Sequence, residues 1–217
     1  MVVKLYKCDP SPPARAAMMA TEIFNVPTEM IDVNLMNGDH MKPEMLKINP
    51  LHVVPFIVDG DLTVTDSHSI LMYLADAYGK DDSLYPKDVK KRALVNSKLF
   101  FNAATLFPRL RNVTYFVMVE GLKTMSDQQR KDIVEAYGFM EEFLTRSKFL
   151  AGNSMTIADV AAITLATSLQ HLVPLDEKKY PKYAAWIKCM EALPFVQKHN
   201  KPGSDFLGQA LKEKMNL

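Results

Sequence analysis

The 217-residue chain has two cysteines, Cys8 and Cys189, and neither belongs to a Cys-x-x-Cys pair or a Cys/His cluster at metal-ligand spacing. That scarcity signals neither a disulfide framework nor a zinc site, and it points to a reducing compartment. Charge imbalance is missing as well. The 26 basic and 25 acidic residues leave a formal net charge of +1, so nothing in the balance recruits nucleic acid or an anionic membrane. No apolar run approaches membrane-spanning length. The opening "MVVKLYKCDP" has too short an apolar stretch, and no small-residue cleavage site, to read as a signal peptide. With no such address, the expected location is cytoplasmic. Internal repeats and low-complexity tracts are also absent.

What is present is a hydrophobic fraction of 48%, ordinary for a protein with a substantial core, in one large domain or two small ones. The first eighty residues alternate strand and helix signals. "VVKLY" (2–6) reads as a buried strand, 13–24 as a helix, "EMIDVNL" (29–35) as a second strand and "KPEMLKI" as a short helix. "DGD" (59–61) between "FIV" and "LTV" is a hairpin signal, and Ser67 heads a further helix packed by Ile70, Leu71 and Leu74. The expected order is βαβαββα. From Asp81 the composition turns polar, and strand signals stop. Helical patterns cover 88–120, 127–145, 156–170 (apolar nearly all round) and 180–193. The expected organisation is an α/β domain over 1–80, a linker over 81–87 and an all-helical domain over 88–217.

Three stretches carry candidate chemistry. In "DPSPPARAAM" (9–18), Ser11 is a good N-cap and the prolines suit a helix start. The same serine, at a strand-to-helix turn with unpaired N–H groups behind it, also suits an anion such as a thiolate. In "LHVVPFI", Pro55 stands where a strand should begin and marks an edge, a turn or a cis bond; free Val54 N–H and C=O groups would accept an extended peptide ligand as an added strand. In "TDSHSI", capping explains Ser67, yet a helix N-terminus beside Asp66 is also able to grip both ends of an amino acid. In the helical half, Phe107, Leu110, Thr114 and Met118 recur at helical spacing with Arg111 among them, a stripe that suits a core or a pocket. Thr156 and Asp159 have capping spacing.

Taken together, "SPPAR", "NPLHVVPFIVDGDLTVTDSHSILMYL", "SLYPKD", "LAGNSMTIADV" and "YPKYAAWIKCMEALP" resemble the cytosolic glutathione transferases over essentially the whole chain, most closely the insect delta and epsilon classes and epsilon above all. The resemblance implies a thioredoxin-like N-terminal domain that binds glutathione, a helical C-terminal domain with an electrophile pocket, and a homodimer. It implies that the Ser11 hydroxyl donates to the glutathione sulfur. It further implies that Val54, ahead of a cis Pro55, pairs with the cysteinyl moiety, that Asp66 and Ser67 hold the γ-glutamyl amine and carboxylate, and that His52 and His40 face the glycyl end. Arg111 and His68 match cleft positions, although His68 also matches a dimer contact. Phe107, Leu110, Thr114, Met118, Phe206 and Leu207 are the pocket candidates. Pro108 departs from the usual helical run and is expected to kink the helix.

The implied activity is conjugation of the glutathione thiolate to small hydrophobic electrophiles, the detoxification chemistry of xenobiotics, insecticides included, and lipid-oxidation products. Glutathione would be a co-substrate; no other cofactor and no metal are expected, and the partners expected are glutathione, the electrophile and a second copy, not nucleic acid or membrane. The alternatives are a non-catalytic carrier of hydrophobic ligands and, from the Cys-x-x-Ser spelling of Cys8 to Ser11, a thiol–disulfide oxidoreductase. Replacement of His52 by alanine is expected mainly to raise the KM for glutathione in steady-state conjugation assays; an unchanged KM would remove it from the site.

Overall fold

Buried Val3 and Leu5 alternate with solvent-facing Lys4, the period-two pattern of a strand with one covered face. They form β1 (Val3–Lys7) at the centre of the N-terminal half. The structure, a computed structural model, describes residues 2–215. A four-stranded mixed sheet runs in the order β2-β1-β3-β4. β2 (Thr28–Asp32) is parallel to β1, whereas β3 (Phe56–Asp59) is antiparallel to β1 and β4 (Leu62–Thr65) is antiparallel to β3. With α1 (Pro12–Ile23), α2 (Pro43–Ile48) and α3 (Ser67–Tyr78), the order is the expected βαβαββα. The β3–β4 turn places Gly60 at a φ of 61°, a left-handed conformation free of steric cost for glycine.

β2 stops short of the stretch its sequence suggested. Pairing with β1 ends at Lys7↔Asp32, followed only by the Val33 N–H to the Lys7 carbonyl, because β1 turns away at Cys8. Residues 34 and 35 have no strand left to bond.

The C-terminal half is helical: α4 (Val89–Phe101), α5 (Phe107–Met118), α6 (Asp127–Arg146), α7 (Ile157–Gln170), α8 (Pro181–Glu191), α9 (Pro194–His199) and α10 (Lys201–Lys214). One correction to the sequence reading arises here. The continuous pattern over 88–120 is interrupted by a π-helical turn, Asn102–Leu106, in which the Phe107 N–H reaches back five residues to the Asn102 carbonyl. Pro108 supplies the cause: it has no N–H, and its ring crowds the carbonyl four residues earlier, so the helix widens ahead of it. The tail beyond Leu193 is also helical. Pro202 and Gly203 lie in the first turn of α10, where proline forgoes no intrahelical bond.

α7 is the axis of the molecule. Every residue from Ile157 to Leu169 is buried, as its all-round apolar pattern requires, and α1 and α3 lie between it and the sheet. At its start, the buried Asp159 carboxylate accepts from Thr156 N (2.9 Å), Thr156 Oγ1 (3.1 Å), Leu150 N (3.0 Å) and Trp186 Nε1 (3.0 Å). Four donors account for both oxygens, a structural role.

The two halves are joined through a charge. Arg15 on α1 is fully buried. Its guanidinium donates to Asn200 Oδ1 (2.6 Å), the Asn200 carbonyl (3.1 Å) and Ser168 Oγ (2.6 Å). Burial lowers its pKa to about 9, which leaves it charged at neutral pH. Nearby, Glu22 accepts from Lys198 Nζ (2.6 Å) and lies 2.7 Å from His199 Nε2, tying the far end of α1 to α9. Arg15→Ala is expected to cost about 3 kcal/mol or more, from the cavity and from charge-assisted bonds left unmade. Urea unfolding measures this; a loss below about 1 kcal/mol would mean that the bonds merely replace those to water.

Candidate active site

The strand register assembles the site. Tyr6, Phe56 and Thr65 share one row of the sheet, and at this edge four segments leave it: residues 8–11 after β1, 33–40 after β2, 49–55 before β3, and 66–67 after β4. Neighbouring strands are roughly 4.8 Å apart, so segments far apart in sequence gather around one small ligand. The N-termini of α1 and α3 open at the same edge, and each carries a partial positive charge of about half an electron.

Ser11 is the N-cap residue of α1, with extended backbone (φ −75°, ψ 115°), but its side chain makes no capping bond. The capping account of this serine therefore covers its backbone only. Its N–H donates to the Cys8 carbonyl (2.9 Å) and its carbonyl accepts from Arg15 N (3.0 Å). The expectation of several unpaired backbone donors behind it is corrected. Pro12 and Pro13 have no N–H, so Ala14 carries the first one in the helix. An anion at this end relies on the hydroxyl and the helix dipole.

The turn is braced from two sides. Lys7 Nζ lies 2.6 Å from both Asp9 Oδ1 and Asp32 Oδ1; burial works against its charge, yet hydrogen bonds to Asp32 and Asp9 outweigh it and hold the ammonium above its usual range. From behind, Gly203 sits so close that a Cβ there would lie 2.1 Å from the Asp9 carbonyl oxygen and 2.8 Å from Arg15 Cδ.

Val54 precedes β3, the Val54–Pro55 peptide is cis, and Val54 makes no backbone hydrogen bond among the described residues. The loop before it is held by Asn49, a buried residue absent from the candidates above. Its side chain donates to the Val53 carbonyl (2.9 Å) and accepts from Leu51 N (3.1 Å); the signal available in the sequence was the Asn-Pro dipeptide, a turn former. His52 is exposed with a φ of 46°. Its ring centroid lies 6.3 Å from that of His40, whose Nδ1 is buried without a partner.

Asp66, rather than Ser67, is the N-cap of α3. Its Oδ1 accepts from His68 N (2.8 Å) and Ser69 N (3.2 Å) and faces His68 Nδ1 at 3.3 Å, leaving Oδ2 unengaged. Burial pushes this carboxyl pKa up, but the hydrogen bond from the His68 side chain and the N-terminal N–H groups outweigh it and hold it below the ordinary aspartate range. Ser67 becomes the buried first residue of the helix, with its N–H outside the cap bonds. Asp66 and His52 are two of the three non-glycine residues with positive φ among those described, and such conformations concentrate at functional sites. His68 Nε2 lies 3.1 Å from Asn102 Oδ1 in the π-helical turn, so this histidine joins the two halves.

The pocket candidates are less gathered. Phe107, Thr114 and Met118 are half-buried on α5. Leu110 and Leu207 are 2% and 7% exposed within the core; as corrections, they back the wall and have almost no free surface for a ligand. Phe206 on α10 is exposed. Arg111 is exposed and lies over the Tyr115 ring at 4.7 Å, with no bond to the sheet edge. Two surface depressions, about 560 Å³ on α6 and about 290 Å³ beside α3, include none of the site residues. Among the described residues, no group of three His, Cys, Asp or Glu side chains could hold a metal ion, and no helix is long and apolar enough to cross a membrane.

Comparison with known proteins bears on the family and the fold. The profile described as "Glutathione S-transferase, N-terminal domain" matches residues 5–82, and "Glutathione S-transferase, C-terminal domain" matches 87–194. Glutathione S-transferase 1 of Manduca sexta is 42% identical over 218 residues, 100% of each chain. An epsilon-class glutathione S-transferase from the housefly Musca domestica superposes with a TM-score of 0.96 at 42% identity, over 99% of both chains. A glutathione transferase homologue from Drosophila mojavensis, solved with bound glutathione, gives 0.96 at 41% identity over 99% of this chain and 98% of its own. The sheet, the helical half and these relatives lead to one conclusion: the chain belongs to the glutathione S-transferase family.

Proposed function

We propose that the protein conjugates the glutathione thiolate to small hydrophobic electrophiles, with Ser11 donating a hydrogen bond to the sulfur. The observation that carries this is the uncommitted Ser11 hydroxyl at a helix start whose first two residues are prolines. With two backbone donors deleted, the hydroxyl is left as the directional donor, assisted by the α1 dipole. A free thiol titrates near 8.5 (roughly), and both features favour the thiolate over the thiol. The thiolate then attacks an electrophilic carbon: the C–S bond forms, and the leaving group departs with its electron pair or, in an addition, the adjacent carbon takes up a proton.

The rest of the ligand follows the sheet edge. Val54 N–H and C=O pair with the cysteinyl unit as an added strand would. The free Oδ2 of Asp66 takes the γ-glutamyl ammonium, and Ser67 with the α3 N-terminus takes its carboxylate. His40 and His52 face the glycyl carboxylate, and His68 and Arg111 border the cleft. That a Drosophila mojavensis relative was solved with bound glutathione supports glutathione as the ligand. Phe107, Thr114, Met118 and Phe206 receive the electrophile, over a wall of Leu110 and Leu207. Residues 1–80 then form the glutathione-binding domain, 81–87 the linker and 88–217 the electrophile-binding domain. The chain works as a cytoplasmic homodimer in detoxification of xenobiotics, insecticides among them, without a metal or prosthetic group.

Disulfide exchange would need a thiolate at Cys8. Burial and the neighbouring Asp9 charge instead push that thiol's pKa up, which disfavours the reaction. At neutral pH, Cys8 is expected to react with Ellman's reagent more than tenfold slower than exposed Cys189, as read from the single variants Cys8→Ser and Cys189→Ser; equal or faster labelling of Cys8 would restore the oxidoreductase reading. Ser11→Ala is expected to lower kcat/KM for chlorodinitrobenzene about a hundredfold (2.7 kcal/mol) and to shift the titration of bound glutathione, followed by thiolate absorbance, upward. Tight glutathione binding without turnover in the native protein would mark a carrier instead.

A further inference from the structure

The chain has one Asn-Gly step, Asn37–Gly38, in the segment 33–40 that leaves the sheet edge at the candidate site. Such a step is open to attack on itself: the amide nitrogen of the following residue reaches the asparagine side-chain carbonyl, and glycine puts no side chain in its way. Asn37 is exposed. Gly38 has a φ of 72°, and nothing stands within 4 Å of where its Cβ would be. Its N–H is held by a 3.2 Å bond to the Leu35 carbonyl. On the far side, the 3₁₀ turn Asp39–Met41 and α2 bury no residue, and a segment so thinly packed opens at little cost. The one Asp-Gly step in the chain, Asp59–Gly60, is better guarded. Asp59 accepts from the hydroxyls of Tyr78 (2.5 Å) and Tyr73 (2.7 Å), which hold its carboxyl below the ordinary range, and an ionised carboxylate is a poor electrophile.

Asn37 also closes a small knot around Asp39. Asp39 Oδ2 accepts from Asn34 N (3.0 Å), and its Oδ1 accepts from Asn37 Nδ2 (3.3 Å) and lies 2.7 Å from Lys42 Nζ. The Lys42 ammonium, with the Asn34 N–H behind it, holds the Asp39 carboxyl below its ordinary range, so it is charged at neutral pH. Turning the Asn37 amide into a carboxylate removes a donor from Asp39 and sets two like charges against each other. His40 is the next residue along.

We propose that Asn37 deamidates spontaneously in the folded protein, and that the product binds glutathione less well because the loop carrying His40 is displaced. The Gly38 nitrogen gives up its proton to solvent base and bonds to Asn37 Cγ; the Cγ–Nδ2 bond breaks, and Nδ2 takes up a proton and leaves as ammonia. Water then opens the succinimide ring at one carbonyl or the other. The products are aspartate, with the backbone unchanged, and isoaspartate, in which the chain runs through the side-chain carbon and is longer by one atom. Nothing is oxidised or reduced. Because the deprotonated nitrogen attacks, the reaction quickens as pH rises. The loss of glutathione affinity rests on the reading of His40 given above; the chemistry at Asn37 does not.

The test ages the full-length protein at neutral and at mildly alkaline pH, then reads conversion by peptide mass and by isoaspartyl methyltransferase labelling. Conversion is expected at Asn37 ahead of every other asparagine, faster at the higher pH, and absent from Asn37→Gln, which keeps an amide donor but closes a ring far more slowly. Aged native protein and fresh Asn37→Asp are expected to bind glutathione about threefold more weakly by calorimetry, with kcat at saturating glutathione nearly unchanged. Aged Asn37→Gln should keep the affinity it has when fresh. No conversion at Asn37, or a fully converted protein with native affinity, would overturn the proposal. An equal loss in aged Asn37→Gln would do the same by placing the damage elsewhere. His40→Ala, measured alongside, reads the glycyl-end assignment by itself, so a failure of that reading is told apart from a failure of the chemistry.

Discussion

A guanidinium taken out of water needs well-placed acceptors, and the Arg15 Nη1 and Nη2 groups meet them on elements of the C-terminal half, Nε alone having no partner among the described residues. Asn200 and Ser168 receive its charge, so α1, α7 and the start of α10 cannot shift independently without stranding a buried cation. Since α1 begins at Ser11, the orientation of that serine is set by a contact some 185 residues away in sequence. Gly203 closes the same junction by steric means. Charge and shape thus act on one turn, the first fixing direction and the second distance.

Much of this architecture was legible in the sequence. Period-two and period-3.6 patterns marked the βαβαββα half and the buried helix at 156–170, because those elements bury regular faces. Legibility failed where tertiary neighbours decide. Strand β2 ends when its partner turns away, which no residue between 33 and 35 announces. Pro108 was visible as an irregularity, but whether the helix kinks or widens depends on the carbonyls it meets. The tail at 194–214 was legible as part of an all-helical half, but its division into α9 and α10 was not.

The candidate site shows the same division. Ser11, Val54, Asp66 and Ser67 were singled out from turn and cap chemistry, and strand register places their segments at one end of the sheet. The cap of α3 moved by one residue to Asp66, which frees Ser67. Asn49 escaped notice because its contribution consists of two bonds to its own loop, and a buried amide of this kind has the same sequence signature as any Asn-Pro turn. The electrophile face was the least legible: a stripe at helical spacing does not tell Leu110, which faces the core, from Phe107, which flanks it.

The contact of Gly203 and Asn200 with the turn before Ser11 also bears on how the protein comes into being. A ribosome delivers the chain from its N-terminus, at about 5–20 residues per second. The sheet and α1 are therefore present roughly 7–30 s before α10 can reach them. Throughout that interval the N-terminal half holds a charged Arg15 without Asn200, and the Ser11 turn without its backstop. A nascent or truncated chain can have the whole sheet and still be an unfinished catalyst, so catalytic competence is reached near the end of synthesis, when the last two helices close over the first.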